Sequence, residues 1–221
     1  MIALSCGLNG AARYAIPSTV AFRSSGKPLI FSVSAAGIGP ETEAYLAFID
    51  SAINTEAGRF LRRPQRDQLL AHRARITAVY RTAIRPDALV AARYVVPFPG
   101  ALRFAGGFVH PEMRGRALSA ALGAMALFDA FRRGEQIRSV TSRVRVQDDV
   151  PNKASVAALR KLGFVLGDAD LVTPVNGDAS DRHLLPYAEM QSGAPVTRSR
   201  PLFLSDQAIP GALRFLQTWR G

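Results

Sequence analysis

The chain has 221 residues, 48% hydrophobic and 20% charged, the composition of an ordinary globular protein with enough apolar material for a sizeable core. Its 28 basic against 17 acidic residues give a formal charge of +11, a field that draws anions such as nucleotides, CoA or nucleic acid without choosing among them. A single cysteine, Cys6, excludes an internal disulfide, and the three histidines, His72, His110 and His183, are too scattered for a metal-binding spacing, so no metal is expected.

No apolar run reaches the roughly 18 to 20 residues that cross a bilayer, and the first ten residues lack the basic and apolar regions of a signal peptide. A cytoplasmic setting with no membrane partner is therefore expected. Residues 1–26 show no clear period and are expected to form an arm or extra strands. The stretch PLIFSVSAA (28–36) is rich in branched and aromatic residues and predicts a strand, followed by the turn signal GIGP and a helix over 41–53 with Tyr45, Phe48 and Ile49 on one face.

Residues 66–84 begin with helix formers and end with β-branched residues, which divides them near Arg75 into a helix and a strand. ALVAARYVVPF and ALRFAGGFV read as two strands joined by the tight PFPG turn. Leu118, Leu122 and Met125 then recur at helical spacing with Ala121 and Phe128 beside them. That pattern ends at Arg132, Arg133 and Gly134, where basic residues suit the negative helix end and glycine suits the cap.

IRSVTSRVRV (137–146) alternates, with Val140, Val144 and Val146 on one face and Thr141, Arg143 and Arg145 on the other. NKASVAALRKLG is a short helix ending at Gly163, and FVLGDADLV and HLLPYAEM read as further strands. The order of elements predicts an α/β layer with a mixed sheet. Nucleic-acid recognition would interleave aromatics with the basic residues along one surface; here the arginines are spread along the whole chain.

Between the second strand of the hairpin and the helix lies VHPEMRGRALS (109–119). A strand-to-helix turn presents free backbone N–H groups at the positive end of the helix dipole and can bind phosphate without side chains. This turn, together with the NKASVAALRKLGF segment about forty residues on, resembles the GNAT N-acetyltransferase superfamily. In that family a Val-x-Pro strand end leads into Arg/Gln-x-x-Gly-x-Gly/Ala. Val109, Pro111, Arg114 and Gly115 match, whereas Ala117 and Ser119 stand where glycines are usual. Asn152, Ser155, Lys161, Gly163 and Phe164 match the second segment.

The resemblance implies a mixed, mostly antiparallel sheet flanked by helices, with the family domain at 27–190 and a C-terminal extension with a short helix at 191–221. It implies acetyl-CoA or another acyl-CoA as the acyl donor, an amine acceptor, and direct attack of the amine on the thioester; a homodimer is compatible with it. Val109, His110, Arg114, Gly115, Arg116, Ala117, Leu118, Ser119, Asn152 and Ser155 are the expected cofactor-binding residues, with a backbone N–H at Val109 or His110 on the thioester oxygen. Glu112, Asp148 and Asp149 are the carboxylates near these segments, and Glu112 and Asn152 are the expected catalytic residues.

Leu159 occupies the position where many members carry a tyrosine that protonates the departing thiolate. The alternative is a non-catalytic protein of the same fold that binds CoA or an acidic macromolecule such as RNA. The methyl of Ala117 is expected to crowd a bound pyrophosphate, and its removal to lower fold stability, because glycine near a helix start is entropically costly.

Overall fold

The alternating segment 75–109 forms three consecutive antiparallel strands, and the rest of the sheet extends from them. The computed structural model describes residues 18–24, 27–38, 40–53, 64–81, 84–147, 150–174, 185–186 and 196–219. The strands before the first long helix are β1 (Ser18–Ser24) and β2 (Lys27–Ala35), an antiparallel hairpin. Helices α1 (Glu41–Ile53) and α2 (Arg66–Ala71) lead to β3 (Arg75–Tyr80), β4 (Leu89–Phe98) and β5 (Ala101–Val109). Then come α3 (Leu118–Arg132), β6 (Ser139–Gln147), β7 (Val150–Pro151), α4 (Lys153–Arg160), β8 (Val165–Leu166), β9 (Leu171–Pro174) and β10 (Leu185–Pro186). The described chain closes with β11 (Val196–Ser205) and α5 (Ile209–Thr218).

The strands lie in the order β1-β2-β3-β4-β5-β6-β11-β9-β10, with β7 beside β6 and β8 beside β11. Among the described residues β5–β6 is the only parallel pair. The expected mixed, mostly antiparallel sheet is therefore observed, and β1 lies within the first 26 residues. Residues 1–17 lie outside the described residues. So do Asp148, Asp149 and most of the segment HLLPYAEM. The stretch 196–205, set apart above as part of a C-terminal extension, supplies the strand between β6 and β9.

Alternation along the strands sends side chains to two cores. Phe31, Val33, Val95, Leu102, Phe104, Val140, Val144, Leu202 and Leu204 face α3, α4 and α5, whereas Ile76, Ala78, Val96 and Phe108 face α1 and α2 through Tyr45, Phe48, Ile49 and Leu69. Val140, Val144 and Val146 are buried while Thr141, Arg143 and Arg145 are half-buried, the division expected for this strand. Helix α3 is buried along most of its length because its many alanines, and Gly123, let it lie close on the sheet. Its C-terminus ends on Gly134 at φ +77°, as the cap signal predicts.

Candidate functional site

The sheet opens where its one parallel pair ends. Pairing between β5 and β6 runs only from Ala101 opposite Ser139 to Phe104 opposite Ser142. Ser142 Oγ donates to the Phe104 carbonyl at 3.1 Å and marks the apex. Beyond it residues 105–109 of β5 and 143–147 of β6 run on without pairing to each other, and the two strands diverge around a wedge; toward its outer end β7 pairs with β6 at Val146 and Gln147, and the Asn152 N–H donates to the Arg145 carbonyl at 3.0 Å.

On its other side β5 carries a bulge against β4, with Ala92 opposite Phe108 but Tyr94 opposite Ala105. Gly106 takes φ +51° there, a conformation suited to glycine. The N–H of His110 donates to the Val90 carbonyl at 2.8 Å. Since N–H groups alternate along a strand, that of Val109 points away from β4, toward the wedge. Of the two N–H groups expected as donors, that of His110 is engaged with β4 and that of Val109 is not.

Residues 110–117 form the turn at the mouth of the wedge, with a short 3-10 segment at Pro111–Met113. Arg114 and Gly115 are exposed. The first backbone bonds of α3 are made by the N–H groups of Ala120 and Ala121, both to the Ala117 carbonyl at 3.0 Å, so the N–H groups of residues 115–119 enter no helical bond. They stand at the positive end of the helix dipole. Gly115 adopts φ +82° with open space where a Cβ would sit.

Among solved structures, a probable acetyltransferase of the GNAT family from Chromobacterium violaceum is 17% identical to this chain, covers 94% of it and 98% of its own length, and superposes with a TM-score of 0.53. The chain has the GNAT fold. A nourseothricin acetyltransferase, 23% identical with a TM-score of 0.40, matches 60% of this chain, which spans 65% of that protein's length. A spermidine N-acetyltransferase from Vibrio cholerae, solved with CoA and spermine, is 14% identical with a TM-score of 0.48 over 81% of this chain and 98% of its own. No protein-family profile and no curated protein matches the chain.

Within the GNAT fold the residues expected from sequence gather at two places. Val109, His110, Arg114, Gly115, Arg116, Ala117, Leu118 and Ser119 line the strand end, the turn and the start of α3, whereas Asn152 and Ser155 stand at the start of α4 on the β6 side. Asn152 is the N-cap of α4, its side-chain oxygen accepting the Ser155 N–H at 3.2 Å. Leu159 is buried in the core. Glu112 is exposed on the turn and accepts from Arg81 Nη2 at 2.8 Å. The hydrogen bond and charge of Arg81, with His110 adding to them, hold the Glu112 carboxyl below its ordinary range, which makes it a weaker proton acceptor.

Ala117 holds φ +56° and ψ +24°, in the left-handed region, at the N-cap of α3. This reverses the stability expectation for glycine at 117: the native backbone is one that alanine resists by about 1 to 2 kcal/mol and glycine does not. Ala117→Gly is expected to raise the urea midpoint of the unliganded protein, the unfolding free energy gaining up to about 1 kcal/mol after glycine's entropy is set against the relieved strain. A lower midpoint would mean that the turn is not held left-handed.

Three residues at the site had no sequence signal. Tyr45, from α1, donates its hydroxyl to the Gly106 carbonyl at 2.8 Å and packs edge-on to Tyr94, so α1 braces the bulge. Burial raises the Tyr45 pKa well above its usual value and keeps the hydroxyl protonated as a donor. Trp219, just beyond α5, donates its indole N–H to the Arg116 carbonyl at 2.8 Å and sets its ring edge-on to Phe31 at 5.4 Å. It ties the mouth turn to the end of the chain. Arg93, from β4, is buried beneath the bulge.

Proposed function

We propose that the protein is an N-acyltransferase that moves an acyl group from acyl-CoA to an amine acceptor. The observation that carries this reading is the wedge between β5 and β6 with a turn of free N–H groups at its mouth. The residues fit a phosphate-bearing acyl donor on two counts: the amides of residues 115–119 suit a pyrophosphate, and the edge of β5 beyond Phe104 suits an extended chain that pairs with backbone. In this reading Arg114 adds its charge at the mouth, and the Val109 N–H orients and polarises the acyl oxygen. Positioning supplies much of the rate, since the amine needs only to reach the carbonyl carbon as a free base.

The test is calorimetric titration of the purified protein with CoA. Arg114→Glu is expected to weaken CoA binding at least about tenfold, since a cation beside phosphate becomes an anion, while the fold is unchanged because Arg114 is exposed. Unchanged affinity would remove the pyrophosphate from this turn. Failure of CoA to bind the parent protein would overturn the reading itself.

In this reading the acceptor approaches a face of the sheet that carries three arginines. Arg103 of β5 and Arg143 of β6 share a face with Arg145, beside exposed Phe98 and Phe203. Burial, with the like charge of Arg103 adding to it, lowers the Arg143 pKa to about 10, still well above neutrality, so that side chain stays cationic. Such a face repels polycationic amines and suits an amine that also carries a carboxylate or phosphate. CoA release from acetyl-CoA is therefore expected to be faster with an anionic amine such as an amino acid than with spermidine. The opposite order in a thiol-release assay would reverse this assignment.

A further inference from the structure

Arg93 enters none of the roles given above, yet the fold is arranged around it. The residue is 5% exposed. Its Nε and Nη1 atoms have no hydrogen-bond partner, and its contact from Nη2 to Ser119 Oγ lies at 3.5 Å. Among the described residues no carboxylate pairs with it, and Tyr45, across the bulge from α1, is the titratable group coupled to it. An unmatched buried cation is strongly unfavourable unless something brings a negative charge to it.

Two glycines keep a passage open for the guanidinium. A Cβ on Gly107 of β5 would lie 3.0 Å from Nη2, and one on Gly123 of α3 would lie 3.1 Å from Nη1. The group passes under β5 at the bulge and stops 5.0 Å over the Phe104 ring. Phe104 belongs to the last rung between β5 and β6, so the cation reaches from the depth of the apex to Ser119 at the start of α3, whereas Arg114 stands out at the mouth. The phosphates belong at the mouth, where the free turn amides are. The mouth already has the turn amides and Arg114 for phosphate, so the charge left for the buried guanidinium to meet is one that arises at the reacting end.

We propose that Arg93 is the buried counter-charge for the CoA thiolate released in acyl transfer, taking the place of a proton-donating side chain. This rests on the acyltransferase reading above. In the step concerned the amine nitrogen forms a bond to the carbonyl carbon, the carbon–sulfur bond breaks with its electron pair remaining on sulfur, and the proton on the new amide nitrogen goes to water. Sulfur thus leaves as an anion. Leu159 offers it no proton, and a fixed guanidinium stabilises it in place, at no reorganisation cost. The thioester is neutral before the reaction, so the interaction strengthens as the bond breaks.

The experiment is an ultraviolet titration of the thiol of CoA bound to the full-length protein, compared with Arg93→Met and Arg93→Lys. The parent is expected to lower the thiol pKa by about one to three units relative to free CoA, as a cation within a few ångströms does. Arg93→Met should still bind CoA through the turn but lose that shift, and its kcat with acetyl-CoA should fall about 100-fold or more. Arg93→Lys should retain part of the shift, and it carries the comparison if the methionine variant does not fold. Burial keeps Tyr45 protonated through the titration. An equal thiol pKa in the parent and in either folded variant overturns the proposal even when CoA binds; absence of CoA binding to the parent overturns the acyltransferase reading instead.

Discussion

Asp129→Ala is expected to lower stability by about 3 to 5 kcal/mol, the range for removing one partner from a buried ion pair. The Asp129 side chain has no solvent exposure, accepts from Arg133 Nε at 2.7 Å, and lies 3.6 Å from Arg75 Nη1. Arg75 sits at the start of β3, where it also pairs with Glu135, so the cluster fastens the end of α3 to the start of that strand. Without the aspartate, Arg75 keeps only Glu135, and a guanidinium 13% exposed is left poorly matched. Arg133→Ala should cost far less, since that side chain is 32% exposed and surface pairs are worth about 0 to 1 kcal/mol. Urea denaturation followed by circular dichroism checks both. A loss below about 1 kcal/mol for Asp129→Ala would show that water or a neighbour replaces the carboxylate.

Local pattern carried the sequence reading as far as local forces set the structure. The 3.6-residue stripe through Leu118, Leu122 and Met125, ending at Gly134, gave α3 because burial, dipole and cap agree there. Alternation through Val140, Val144 and Val146 gave β6 and its polar face. The turn at 109–119 was legible because a strand end, a basic residue and a glycine adjoin in sequence. β11 was not placed, because neighbours across a sheet are chosen by packing over distances that periodicity does not encode. Arg93 lies in ALVAARYVVPF, whose pattern indicates a strand and singles out none of its residues. Only the absence of side chains at Gly107 and Gly123, on two other elements, turns it into a buried cation beneath the bulge. Trp219 was likewise invisible, since its partner Arg116 lies 103 positions away.

The bulge supplies the second large effect. Gly106→Ala is expected to lower stability by about 2 to 5 kcal/mol and to abolish measurable CoA binding, because two penalties meet at one position. The backbone there is left-handed, which costs a residue with a Cβ about 1 to 2 kcal/mol. The added methyl would overlap the Tyr45 hydroxyl and lie 2.6 Å from Tyr94 Cε1, and overpacking of this kind costs about 1 to 3 kcal/mol. Either the tyrosines move, loosening the brace from α1, or the bulge straightens. A straightened bulge shifts the register of β5 by one residue, so the N–H of Val109 turns toward β4 and the wedge loses its donor. Gly107→Ala is the comparison: its backbone is not left-handed, and its new methyl meets only the buried Arg93 guanidinium at 3.0 Å, so it carries the crowding penalty of about 1 to 3 kcal/mol without the backbone one, should lose less stability than Gly106→Ala and should still bind CoA. Thermal melts with and without CoA separate the two variants. If Gly106→Ala keeps the full CoA-induced rise in Tm, the bulge does not position the donor edge, and the wedge is set by the apex at Ser142 alone.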